Sequence, residues 1–187
     1  MFHIRSVLFD KEILAKHVNN IIAAWVFAIC FGLVEAVVVI YLRHILATTA
    51  HDIFSNALSL STRASLFSLG FVVFLRPEVV ATWDTLHLEI FREMATMIML
   101  FTVAYLVGRN MIERVAYYLM CFGVWDIFYY IWLRLFIHWP KSIFDIDVLF
   151  LIPVPWIGPV WVPTLISVVM IAIAFYLLGL KKVTIKG

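Results

Sequence analysis

Five ionisable side chains stand inside stretches that are otherwise apolar: Glu35, Glu89, Arg92, Glu93 and Asp126. Glu89 and Glu93 are four residues apart, so they share one face of a helix, with Arg92 beside them. Asp126, Tyr130 and Arg134 follow at the same four-residue interval, with Tyr129 alongside. Together they offer carboxylates, guanidinium groups and phenols to one region. Three chemistries suit such a set. Arginines can neutralise carboxylates in a salt-bridge network that pins the packing of helices. A sheltered polar pocket can serve protons, an ion, a quinone or a lipid headgroup, since carboxylates carry protons and arginine suits phosphate. Carboxylates can also bind a hard cation or a metal pair. The Glu-x-x-His pattern of di-iron bundles is missing, however, and Arg92 would oppose a cation.

His44, His87 and His138 form a weaker pattern, one at the same end of each of three apolar segments, with His51 nearby. Three imidazoles at one level suit zinc, copper or a haem. No HxxxH spacing supports that reading, and an ordinary boundary role competes with it. His3 and His17 belong to the opposite side. The aromatic run Trp125, Phe128, Tyr129, Tyr130 and Trp132 reads first as packing bulk, with a stacking wall for a quinone, carotenoid or chlorin as the rival. Cys30 and Cys121 read as small packing residues, and there is no CxxC. GxSxG, Walker, HExxH and GxGxxG motifs are absent. No cofactor is indicated, and whether the chain is an enzyme is left open.

The elements that must hold these groups follow from composition. The chain of 187 residues is 65% hydrophobic and 14% charged, against about 25% charged in a soluble domain. Net charge is +2, which gives no nucleic-acid footprint. The reading is an all-α, polytopic transmembrane helix bundle with four spans. Glu35 lies in the first, Ile21 to Leu42, about 22 residues long, which suffices to cross a bilayer. That run is too long for a signal peptide and lacks a small-residue cleavage site, so it is read as a retained span. Ala24, Ala28, Gly32 and Ala36 recur every fourth residue along it and allow close approach of another helix. The second span is Leu88 to Gly108, with its helix beginning after Pro77 and stopping at Arg109-Asn110. The third is Val115 to Ile137, closed by Trp139-Pro140. The fourth is Val160 to Leu180, with Pro159 and Pro163 in its first turn.

Residues 1–20 read as a cytoplasmic or interfacial segment, 21–180 as the bundle, and 181–187 as a basic tail. In the connection after the first span, Ala64 to Leu75 is apolar but only about 12 residues long. A re-entrant or interfacial helix is expected there, with a short fifth span as the alternative. The prolines at 153 and 155 disfavour helix, so Leu151 to Trp156 is expected to lie in the interface or cover the mouth of the bundle.

Basic residues 5, 11, 16, 109, 114, 181, 182 and 186 fall on one side, against 43, 63, 76 and 141 on the other. Trp83, Trp139, Trp156 and Trp161 collect at the second side. The pattern predicts both termini cytoplasmic in a bacterial or archaeal inner membrane. The functional expectation is a membrane subunit of a larger assembly, partnered by lipid and other membrane chains. The alternatives are a stand-alone transporter or membrane enzyme with a lipid, quinone, ion or proton at the charged cluster, and a metal- or haem-carrying electron-transfer protein.

Overall fold

A computed structural model describes residues 2–46, 65–69, 72–75, 86–152 and 155–184. Among them are four helices: α1 (Phe2–Leu46), α2 (Leu86–Val107), α3 (Met111–Ile137) and α4 (Trp161–Thr184). Each contains a stretch long and apolar enough to cross a membrane: Val18–Arg43, His87–Val107, Met111–Ile137 and Trp161–Gly179. The protein is a membrane helix bundle, with the four spans that hydropathy predicts.

α3 is the central helix and packs on the other three, while α1 and α2 meet over a shorter stretch. The small residues of the first span explain the close approach of α1 to α3. Ala24, Ala28, Gly32 and Ala36 are all buried, and a Cβ at Gly32 would lie 2.9 Å from the backbone oxygen of Trp125. The stripe is therefore occupied by α3 of the same chain and is not an open docking face. Cys121 is buried against Ala24, and both it and Cys30 are free thiols.

α1 continues unbroken from Phe2 to Leu46. At 1.5 Å per residue its 45 residues extend about 67 Å, more than twice the roughly 30 Å hydrocarbon core. No helix end marks the expected boundary at residue 20. The turn Gly108–Asn110 falls where a stop is expected: the Asn110 side chain accepts from the Glu113 amide at 3.1 Å, and Glu113 accepts from the Arg109 amide at 2.8 Å. The first bond satisfies an amide that the first turn of α3 leaves unpaired, and the second holds the residue just before the cap. α3 ends at His138 in the left-handed region (φ 54°), whose amide donates to the Arg134 carbonyl.

The bundle is not all-α. Four strands, β1 (Ser65–Leu69), β2 (Val72–Leu75), β3 (Ile146–Phe150) and β4 (Trp156–Pro159), form an antiparallel sheet in the order β1-β2-β4-β3. This corrects the helix, or fifth span, expected over 64–75. A short apolar run has no period that separates a buried strand from a helix. Only Gly70-Phe71 lies between the two strands in sequence, which is a hairpin signal. Pro159 belongs to β4, paired with Ile146, and not to the first turn of α4. It sits at the strand's end, where its missing N–H matters least. Residues 76–85, with the proposed start after Pro77, and residues 47–64, with His51, lie outside the described residues, as does the end of the tail from 185.

Candidate functional site

The ionisable groups lie where the C-terminal end of α1, the N-terminal half of α2, the C-terminal half of α3 and the sheet come together. Glu35, Glu93, Asp126 and Asp147 are all buried there. On α2 the helical period sets Glu89, Arg92, Glu93 and Thr96 on one face. Arg92 Nε and Nη2 donate to Glu89 Oε2 at 2.9 and 2.7 Å, and Nη1 donates to Glu35 Oε2 across the gap to α1. The Thr96 hydroxyl donates to the other oxygen of Glu35. One guanidinium thus joins two carboxylates from two helices.

The remaining groups form separate pairs. Glu93 turns away from Arg92's fork and accepts the Leu151 amide at 3.1 and 3.0 Å, which ties the end of β3 to α2. Asp126 Oδ2 accepts from the Ser167 hydroxyl of α4 at 2.7 Å. Arg43, at the end of α1, donates to Asp147 of β3 at 3.2 Å and stacks over the Trp139 ring at 3.8 Å. Tyr129 and Tyr130 meet edge to face at 4.9 Å. Tyr129 lies within electrostatic reach of Arg43, Arg92, Asp126 and Asp147, so the pairs belong to one polar layer. Arg134 does not join it. It is exposed and donates to the carbonyls of His138 and Pro140 at 2.7 and 3.2 Å, closing the end of its own helix.

Arg43, Thr96, Asp147 and Ser167 complete this layer although sequence reasoning did not select them. Two signals were available: Thr96 is four residues beyond Arg92, and Ser167 interrupts an apolar span. The Arg43–Asp147 pair joins residues 104 positions apart and has no local signature. Among the described residues, no group of three or more His, Cys, Asp or Glu side chains could hold a metal. His87 and His138 are exposed, and the side chain of His44 is outside the described set.

Burial lifts the Asp147 carboxyl to about 6 from its ordinary 3.8, against the pull of Arg43, the Val148 amide and Tyr130. The folded protein therefore holds this proton more tightly than the unfolded chain. The stability this contributes is complete below about pH 4 and is lost as pH rises through about 6. Melting of the detergent-solubilised protein between about pH 4 and 7 is expected to show a downward slope from this group. Asp147→Asn should remove that slope, and an unchanged slope in the variant would assign it elsewhere.

Beside the polar layer, α2, α3, α4 and the β3–β4 hairpin enclose a partly open cleft of about 290 Å³. Met97, Phe122, Phe150 and Met170 supply apolar and aromatic wall, Tyr118 and Trp156 add rings with a polar edge, and Asp126 and Ser167 supply a carboxylate and a hydroxyl. Phe122 packs against Trp125 at 5.3 Å and Phe150 at 6.2 Å, which fixes the back of the cleft. α2 and α4 both pack chiefly on α3, and the cleft lies between them. Of the aromatic run 125–132 none lines it. Trp132 instead donates to the Ile29 carbonyl of α1 at 3.0 Å, so that run faces α1 and the sheet end.

No protein-family model matches the chain, and neither a curated protein nor a solved structure is similar to it.

Proposed function

We propose that this membrane protein holds an amphipathic molecule of the bilayer in the cleft between α2 and α4, with the polar end of that molecule at Asp126 and Ser167. The observation that carries the reading is a buried carboxylate at the wall of an otherwise apolar and aromatic cleft, flanked by helices whose outer side chains are apolar and exposed. A concave apolar site with few convergent polar groups is the usual form of a small-molecule site. A carboxylate at membrane depth is costly enough to suggest a task.

The Glu35–Arg92–Glu89 group fits a fastening role better. Its guanidinium has a carboxylate on each side, and Thr96 takes up the remaining oxygen of Glu35. The asymmetry of basic residues supports an inner-membrane orientation with both termini cytoplasmic, which would set the sheet and the cleft's polar end toward the outer side. Membership of a larger assembly is compatible with this reading, although the small-residue stripe no longer argues for it.

The test is native mass spectrometry of the protein extracted from membranes in mild detergent. The wild type is expected to retain one small apolar molecule per chain. The cleft-filling variant Met170→Trp should lose it by at least about tenfold, a change of about 1.4 kcal/mol, while its melting stays close to wild type. Equal retention by both proteins would overturn the cleft as the binding site, and co-purifying chains would support the assembly.

A further inference from the structure

The chemistry of the cleft's polar end narrows the class of molecule it accepts. The Ser167 hydroxyl uses its only proton in the 2.7 Å bond to Asp126 Oδ2. Ser167 is itself only 1% exposed, so the acceptor the cleft presents is Asp126. Asp126 makes no other hydrogen bond among the described residues, although only 9% of its surface is exposed. Its second oxygen is left as an acceptor on a residue that lines the cleft. No Lys, Arg or His is among the described residues that line the cleft. Two arginines of the adjoining polar layer are already engaged, Arg92 by Glu35 and Glu89 and Arg43 by Asp147 and Trp139.

We infer that the cleft takes an apolar molecule whose polar end donates hydrogen bonds and bears no negative charge, a hydroxyl or an ammonium group, and that it rejects anionic amphiphiles. This deepens the proposed function and rests on it. A phosphate or carboxylate end would meet a carboxylate in apolar surroundings with no cation between them. A ketone end, as in an oxidised quinone, would meet an acceptor at Asp126, and the Tyr118 hydroxyl beside it is already turned to Met97 Sδ. A hydroxyl or ammonium end supplies the missing donor, and leaving a buried acceptor unpaired is the larger penalty. A cleft of about 290 Å³ holds one ring or a short length of chain. The rest of a longer molecule then lies in the bilayer, where it adds affinity without selectivity.

The experiment compares four probes with the same dodecyl tail: a hydroquinone, an amine, a quinone and a phosphate. Each is titrated into the full chain in phosphatidylcholine nanodiscs, and occupancy is read by native mass spectrometry, with Met170→Trp as the blocked control. The hydroquinone and amine are expected to bind at least about a hundredfold more tightly than the quinone and phosphate, and their order tells a hydroxyl ligand from an ammonium one. Asp126→Asn introduces an N–H donor and is expected to weaken the amine and strengthen the quinone. Should that variant fail to fold, Ser167→Ala keeps the carboxylate and is expected to keep the preference for donors. If the phosphate or quinone binds as well as the donors and Met170→Trp abolishes it, the cleft is a binding site and this inference is wrong. If no probe distinguishes wild type from Met170→Trp, the cleft reading itself falls.

Discussion

Arg92→Met is expected to destabilise the folded bundle by about 3 kcal/mol, because it leaves Glu35 buried with its charge partner removed. Among the described residues Arg92 is the one guanidinium that spans α1 and α2, reaching Glu35 on one helix and Glu89 on the other. The Glu35 side chain keeps only 7% of its exposure, whereas Arg92 keeps 30%. The figure therefore sits at the low end of what breaking a buried pair costs. The asymmetry between breaking and replacing a pair makes the test sharp. Removing both charges, in Glu35→Gln with Arg92→Met, should recover part of the loss, since a neutral side chain needs no counter-charge. Thermal unfolding of the single and double variants in one detergent measures the coupling. Strictly additive losses would show that the two groups do not act as a pair.

Gly123→Ala is expected to lower stability by about 2 kcal/mol through overpacking between α3 and α4. A Cβ there would lie 2.6 Å from the Ser167 carbonyl oxygen and 2.8 Å from Cγ1 of Ile171. The first of these is backbone, so relief requires the two helices to separate. That displacement would pull Ser167 from Asp126, and the variant should lose occupancy of the cleft as well as stability. Gly179→Ala is the control. Nothing lies within 4 Å of the added carbon, and helix propensity favours alanine by up to about 1 kcal/mol. Unfolding midpoints of both variants decide the matter. Equal effects at the two glycines would refute close α3–α4 contact at Gly123.

Much of this protein was legible along the chain because a membrane span is a local property. Hydropathy sums over about 20 neighbouring residues, and the bilayer requires every backbone group within it to be paired. The turn at Gly108–Asn110 and the shared face of Glu89, Arg92 and Glu93 were equally local. The strands were not. Ala64 to Leu75 is too short and too uniformly apolar for a period to appear, and β2 becomes a strand by pairing with β1 and with β4, some 80 residues away.

What the amino-acid order determined by itself is that this is a membrane protein, that four segments are long and apolar enough to cross, and which charges lie within them. Tertiary structure alone decided how those charges pair: Arg92 with Glu35, Asp126 with Ser167, and Arg43 with Asp147, while Arg134 remained at the end of its own helix. The reason is rotation. α3 is apolar on all sides and packs on each of the other three helices, so no hydrophobic stripe announces which of its faces meets α1, which meets α4 and which closes the cleft. Those choices follow from the close approaches at Gly32 and Gly123, where helices meet that are far apart in sequence.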